Sequence, residues 1–175
     1  MRFVRPGDEF AQLFRGFRRS AWRWECQGTY REQYEQTALS QFLASGELDT
    51  SYLTGWLDDV RAATEAGRRF ERVRMLTEPL TDYLRFELAM TPTNADAGED
   101  IRVLRPADAQ RLGMPDHDFW LFDDQEVAVL KFGSDGLVGA EIDDDPGIVA
   151  RHREWRDLAW THATPFRTFW ASVRI

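Results

Sequence analysis

The chain has 175 residues, 43% of them hydrophobic, and a formal net charge of −8 at pH 7. This length predicts a single domain over residues 1–175 that buries roughly 70% of its unfolded surface. The single cysteine excludes an internal disulfide, and no apolar run approaches the ~20 residues of a membrane helix. Because the first residues also lack an apolar signal segment, we expect a cytoplasmic protein with no membrane contact.

In the first half of the chain, hydrophobic spacing predicts helices interspersed with single strands. The alternation of the second strand places Phe70, Arg72 and Arg74 on one face, and Val73 and Met75 on the other. The predicted elements are a helix starting at Asp8, a strand over 20–27, helices over 31–44 and 51–66, a strand over 69–76, and a helix from 77 to about 90 with Pro79 in its first turn.

The second half begins with a predicted loop over 91–100, which is rich in polar and acidic residues and has no aromatic residue. A long helix starts at Asp145-Pro146 and ends near His162, with Ile148, Trp155 and Ala159 directed inward. The other predicted elements are a strand over 101–104, a short helix ending near Gly113, strands over 119–122, 126–132 and 137–142, and a last helix after Thr164-Pro165.

Together these elements predict an α+β fold. The last three strands are joined by short turns rich in Asp and Gly, which is typical of an antiparallel meander. Strands and helices are largely segregated along the chain. We therefore predict an antiparallel sheet of about five strands, including the C-terminal three-stranded meander, covered on one face by helices.

The segment from Asp116 to Asp124 contains the first candidate catalytic residues. His117, Asp118 and Asp123 carry side chains that can ligate a metal ion or transfer protons. In an extended strand, however, His117 and Asp118 point to opposite faces, and Asp123 lies about 17 Å along the chain. The alternative interpretation is that these acidic residues form the turns at both ends of a strand. The sequence predicts no metal site and no cofactor within this segment.

A second candidate site is the arginine-rich strand together with the helix after it. Arg72, Arg74 and Arg85 offer guanidinium groups that bind phosphate or carboxylate in a bidentate manner, and Tyr83 could stack on a base. The alternative is a solvent face on which these arginines pair with acidic residues such as Glu87.

Five segments of the sequence, which together cover nearly the whole chain, carry a resemblance to a known family. They are SAWRWE at 20–25, RRFERVRMLTEPLTDYLRFEL at 68–88, AGEDIRVL at 97–104, DHDFWLFDD at 116–124 and DDDPGIVARHREWRDLAWTHATPF at 143–166. In this order they resemble an actinobacterial family known as domain of unknown function six-eight-seven-nine, which is often encoded near helix-turn-helix regulators of a toxin–antitoxin-like type. The resemblance implies no activity and no catalytic residues.

Three functional hypotheses follow. The acidic excess lies in residues 86–175, which disfavours direct nucleic-acid binding and favours a basic protein partner. With the resemblance, it suggests an interaction or regulatory protein acting with a helix-turn-helix regulator. The second hypothesis is a metal-dependent hydrolase or nuclease using His117, Asp118 and Asp123. The third is a nucleotide or small-anion sensor using the arginine strand.

Overall fold

The computed structural model describes residues 1–173 and contains an eight-stranded mixed sheet with helices on both faces. The strand order is β1-β7-β6-β5-β2-β3-β4-β8. The strands are β1 (Arg2–Val4), β2 (Ser20–Glu25), β3 (Arg69–Met75), β4 (Asp100–Leu104), β5 (Phe119–Phe122), β6 (Glu126–Gly133), β7 (Gly136–Asp143) and β8 (Thr164–Pro165).

Seven α-helices surround the sheet in the described part of the chain. Short 3₁₀ turns at Gln33–Glu35 and Ser51–Leu53 lead into α2 and α3. None of the described helices is long and apolar enough to cross a membrane. The helices are α1 (Asp8–Gly16), α2 (Gln36–Ser45), α3 (Thr54–Glu65), α4 (Asp82–Ala97), α5 (Pro106–Arg111), α6 (Pro146–His162) and α7 (Phe166–Val173).

The α+β class and the C-terminal meander are confirmed, but the sheet is larger than predicted and only partly antiparallel. Strands β2, β3 and β4 are parallel neighbours. Helices α2 and α3 connect the first pair and α4 connects the second, and such helical crossovers bring successive strands back in the same direction. The meander β5-β6-β7 then continues the sheet in antiparallel pairing from β2.

Helices cover both faces of the sheet rather than the one face predicted. On the first face, side chains of α1, α3 and α4 form a core with Phe70, Trp120 and Phe122. On the second face, α5 and α6 pack over Trp22, Trp24 and other strand residues. The predicted alternation of β3 is confirmed, because Phe70 belongs to the first core, whereas Val73 and Met75 belong to the second.

The predicted loop over 91–100 is wrong, because α4 continues to Ala97. The polar residues that suggested a loop form part of the inner face of the helix, where Thr91 and Asn94 are buried. The helix also begins later than predicted. The hydroxyl of Thr81 accepts a hydrogen bond from the Leu84 amide and caps the helix, so Pro79 lies before it.

Two smaller predictions also differ from the structure. The edge strands β1 and β8 were missed because strands of three and two residues leave no readable alternation. Of the residues predicted to face inward on α6, Ala159 is buried and Trp155 packs partly buried against the second core, which confirms both. Ile148 is 39% exposed, and its neighbour Val149 is buried instead, together with His152.

We predict that Gly98→Ala destabilises the fold more than Gly46→Ala. Both glycines end helices at positive φ (121° and 76°), but only at Gly98 would a new Cβ clash, 2.9 Å from the Thr64 Cβ on α3. The strain of positive φ alone costs about 1 kcal/mol, and the clash adds to it. Urea unfolding of both variants measures the difference, and equal losses would contradict the packing of α4 against α3.

Candidate functional site

A cavity of about 440 Å³ lies between the first face of the sheet and a cover formed by α1, α3, α4 and the segments over 30–35 and 52–53. Its size is within the range of small-molecule sites. Its aromatic lining consists of Phe10, Phe14, Tyr30, Tyr34, Tyr52, Trp56, Tyr83 and Trp120. Its charged lining consists of Glu25, Glu32, Glu35, Asp59 and Glu87, opposed by Arg15, Arg23, Arg72 and Arg74.

Glu25 is the centre of a buried charge network on the floor of the cavity. The parallel pairing of β2 with β3 places Arg23 beside Arg72 and Glu25 beside Arg74. One carboxylate oxygen of Glu25 pairs with Arg72, and the other lies 2.7 Å from the Nε atom of Arg74. Burial opposes the charge of Glu25, but the three arginines outweigh it and hold the pKa of this carboxyl below its usual range.

Arg74 and Arg72 extend this network from Glu25 to helix α4 and to the turn after it. Arg74 also binds Glu87 at 2.8 Å and the Thr91 hydroxyl at 3.0 Å. The Nε atom of Arg72 lies 2.6 Å from Glu99, a buried carboxylate directly after the helix. The hydroxyl of Thr91 accepts a hydrogen bond from Arg74, and this contact holds the part of α4 beyond Met90 against the sheet.

Arg23 connects the network to β5 and keeps one nitrogen without a partner. Its NH2 atom binds the fully buried Asp118 at 2.9 Å, and Asp118 also accepts a hydrogen bond from the Tyr30 hydroxyl. The NH1 atom of Arg23 and the Oδ1 atom of Asn94 are buried and have no hydrogen-bond partner in the described chain. Both residues line the cavity, but these two atoms have almost no accessible surface and lie behind its wall.

Tyr83 bridges two carboxyl groups in the wall of the cavity. Its hydroxyl lies 2.6 Å from Glu35 Oε1 and 3.2 Å from Glu87 Oε1. A phenol has one proton and can donate to only one of them, so the second contact requires a protonated carboxyl group. Burial and the nearby charge of Glu87 raise the pKa of Glu35 to about 8, which makes Glu35 the protonated member at neutral pH.

The predicted ligand-binding residues are only partly brought together. Arg72, Arg74 and Tyr83 all line the cavity, whereas Arg85 lies on the outside of α4 in an exposed ion pair with Asp82. The alternative pairing with Glu87 is confirmed for Arg74. The expected solvent face is wrong, however, because helices α1 to α4 cover the arginine face of the strand.

The predicted catalytic residues His117, Asp118 and Asp123 lie in three separate environments. The Nε2 atom of His117 lies 3.1 Å from that of His152 on α6, beside Phe119 on the second face of the sheet. Asp118 faces the other way and binds Arg23. The carboxylate of Asp123 accepts hydrogen bonds from the backbone amides of residues 18, 19 and 20. These side chains therefore share no cavity.

The residues described by the structure contain no group of three or more His, Cys, Asp or Glu side chains that could hold a metal ion. The pair of His117 and His152 is instead a hydrogen-bonded contact. His152 donates its Nδ1 proton to the carbonyl of Ile148 at 2.8 Å, so its Nε2 atom accepts from His117. The pair fixes α6 to the start of β5.

Sequence reasoning missed Glu25, Glu35 and Trp120 as site residues. The alternation of Trp22 and Trp24 did place Glu25 on the opposite face of β2, but its partners depend on the parallel pairing with β3. Glu35 lies in a 3₁₀ turn, where no periodic signal indicates burial. Trp120 looked like an ordinary core residue, yet the guanidinium groups of Arg23 and Arg72 lie 5.8 and 5.5 Å from its ring.

The chain was compared with models of known protein families and with curated proteins. The family model "Domain of unknown function (DUF6879)" matches residues 8–171, which is nearly the whole chain. No curated protein matches the chain.

We predict that Arg74→Met is far more destabilising than Arg85→Met. The first change leaves Glu25 and Glu87 with less compensation in a buried site, which costs about 3–5 kcal/mol. The second removes an exposed pair that contributes less than about 1 kcal/mol. Chemical denaturation of the two variants provides the comparison. Similar losses would mean that the network does not hold the fold together.

We predict that Glu35→Gln flattens the dependence of stability on pH. The carboxyl ionises near its usual pKa of 4.5 in the unfolded chain and only at about 8 in the folded one. The contribution of Glu35 is therefore fully present below 4.5 and is lost as pH rises toward about 8, at up to about 1.4 kcal/mol per pH unit. Denaturation curves between these limits test this, and an unchanged slope in the variant would contradict it.

Proposed function

Because the chain belongs to the family "Domain of unknown function (DUF6879)", we propose its function from the cavity and from the distribution of charge along the chain. We propose that the protein binds a small molecule between the sheet and helices α1, α3 and α4, and that it acts as a ligand-responsive regulatory protein. The observation that carries this proposal is the cavity itself, in which eight aromatic side chains surround a network of charged groups on the sheet and α4.

The structure of the cavity wall supports binding rather than simple core packing. A purely structural core is filled by apolar side chains and leaves few buried polar atoms unsatisfied. Here three helices and the segment over 30–35 border about 440 Å³ around charged groups whose burial is energetically costly. Buried charges that are held in a fixed arrangement, around a space that they do not fill, are typical of recognition sites.

The regulatory part of the proposal depends on protein partners. The acidic excess of the second half of the chain favours a basic partner, and a helix-turn-helix regulator in the cytoplasm would supply one. A ligand that binds beneath α1 and α3 could then alter the surface presented to that partner. The acidic residues also disfavour direct contact with nucleic acid.

The two alternatives receive less support. A hydrolase or nuclease built on His117, Asp118 and Asp123 would need these side chains in one place, but they contact different partners. A nucleotide or small-anion sensor would use Arg72 and Arg74, whose guanidinium groups already bind Glu25, Glu99 and Glu87.

Thermal-shift screening against a collection of metabolites with cationic, neutral and anionic members tests the proposal. A ligand at 100 times its Kd adds ~2.7 kcal/mol, which raises the Tm by about 5–10 °C in a chain of this size. Ala11→Phe, which places a larger side chain in the cavity, should abolish the shift. The control Ala62→Phe, on the exposed side of α3, should retain it. If no compound stabilises the protein, or if both variants respond alike, the proposal is wrong.

A further inference from the structure

The charges around the cavity define the kind of molecule that it can hold, provided that the proposed small-molecule function is correct. Five carboxyl groups line the cavity, and two more, Asp118 and Glu99, lie directly behind its arginines. Four guanidinium groups oppose these seven acids. Even with one proton retained on Glu35, the acids remain in excess, and this excess acts at short range in a site shielded from water.

The arginines on the floor do not change this conclusion, because carboxylates already compensate them. All three guanidinium nitrogens of Arg74 have partners, and Arg72 binds both Glu25 and Glu99. Arg23 binds Asp118 and retains one unpartnered nitrogen. That nitrogen is itself buried and presents no surface to a molecule in the cavity, and Asp118 and Glu25 beside Arg23 oppose any further negative charge there.

The aromatic residues near Glu35 offer suitable surroundings for a cation. The rings of Tyr34 and Tyr52 lie 6.1 Å apart beside the cavity, and Tyr34 is 66% exposed. Desolvation of the phenols and the nearby charges of Glu35 and Glu87 raise the pKa of both tyrosines, so they remain neutral. The faces of neutral aromatic rings attract ammonium groups, and the attraction is modest where a ring is exposed.

We propose that the cavity binds an organic cation, an arylalkylamine whose ammonium group lies beside Glu35 and against the rings of Tyr34 and Tyr52. The aromatic body of the amine packs against Trp56 and neighbouring rings. The proposal is specific to charge: an acid of the same shape is rejected by the excess of carboxylates, and a neutral analogue lacks the attraction to Glu35.

Binding of an amine also affects the proton that Glu35 carries. An ammonium group beside Glu35 favours the ionised carboxylate, so binding releases a proton and becomes tighter as pH rises toward about 8. The other charged or titratable groups near Glu35 lie on several elements, and all of them can influence its protonation. They are Glu87 and Tyr83 on α4, Glu25 on β2, Glu32 and Tyr34 in the preceding segment, Tyr52 before α3, and Arg72 on β3.

Calorimetric titration with three probes that share a phenol tests the proposal. Tyramine carries an ammonium group, tyrosol a hydroxyl group and 4-hydroxyphenylacetate a carboxylate. We expect tyramine to bind about tenfold more tightly than tyrosol at pH 8, and we expect no measurable binding of 4-hydroxyphenylacetate. Repeating the tyramine titration in buffers of different ionisation enthalpy should reveal proton release near neutral pH in the unchanged protein.

Two variants locate the effect. Glu35→Gln keeps an acceptor for Tyr83 but cannot ionise, so it should lose the preference for tyramine and the proton release. The control Glu65→Gln, on the exposed end of α3, should change neither. Equal binding of the three probes, tighter binding of the acid, or no binding of tyramine would overturn the cation proposal. The small-molecule proposal would still stand if a neutral or anionic compound from the metabolite collection bound the unchanged protein and no longer bound the Ala11→Phe variant.

Discussion

The interaction on which the rest of the structure depends is the one between Glu25 and its arginines. A carboxylate that is shielded from water remains charged only if positive groups surround it, and here Arg72 and Arg74 bind its two oxygens from the neighbouring parallel strand. This requirement ties the register of β2 and β3 to the chemistry of the cavity floor. It also extends to helix α4, because Arg74 reaches Glu87 and Thr91. Strand pairing, helix length and the charge of the cavity therefore depend on the same set of contacts.

The fold keeps this network apart from the hydrophobic cores. Trp22 and Trp24 fill the second face of the sheet with apolar packing, whereas the residues that alternate with them, Arg23 and Glu25, carry charge into the first face. Helices α1, α3 and α4 and the segments over 30–35 and 52–53 then border the charged side with aromatic residues instead of filling it. The result is a cavity in which the charges on the floor are paired with one another, and in whose wall Glu35 holds a proton near neutral pH. Such a site combines fixed charges with one titratable group, which suits recognition of a charged small molecule.

Most of the secondary structure could be predicted from the sequence, because helices such as α3 and strands such as β3 have clear hydrophobic periodicity. The alternation of β3 also identified the face that carries Arg72 and Arg74. Other features depend on contacts between distant residues. The end of α4 looked like a loop until Thr91 proved to bind an arginine on the sheet. The parallel pairing of β2 with β3, and with it the role of Glu25, has no local signal in the sequence. His117 and Asp118 are adjacent in the chain, but the pleat of the strand sends them to opposite faces.

The central claim is that the wall of the cavity holds a shared proton within a buried charge network. A direct test is the titration of the Glu35 side-chain carboxyl carbon by nuclear magnetic resonance in the intact protein. The account predicts a midpoint near pH 8, because burial and the charge of Glu87 oppose ionisation. A midpoint near the ordinary value of 4.5 would contradict it, because Tyr83 would then lie between two charged carboxylates with only one proton to donate.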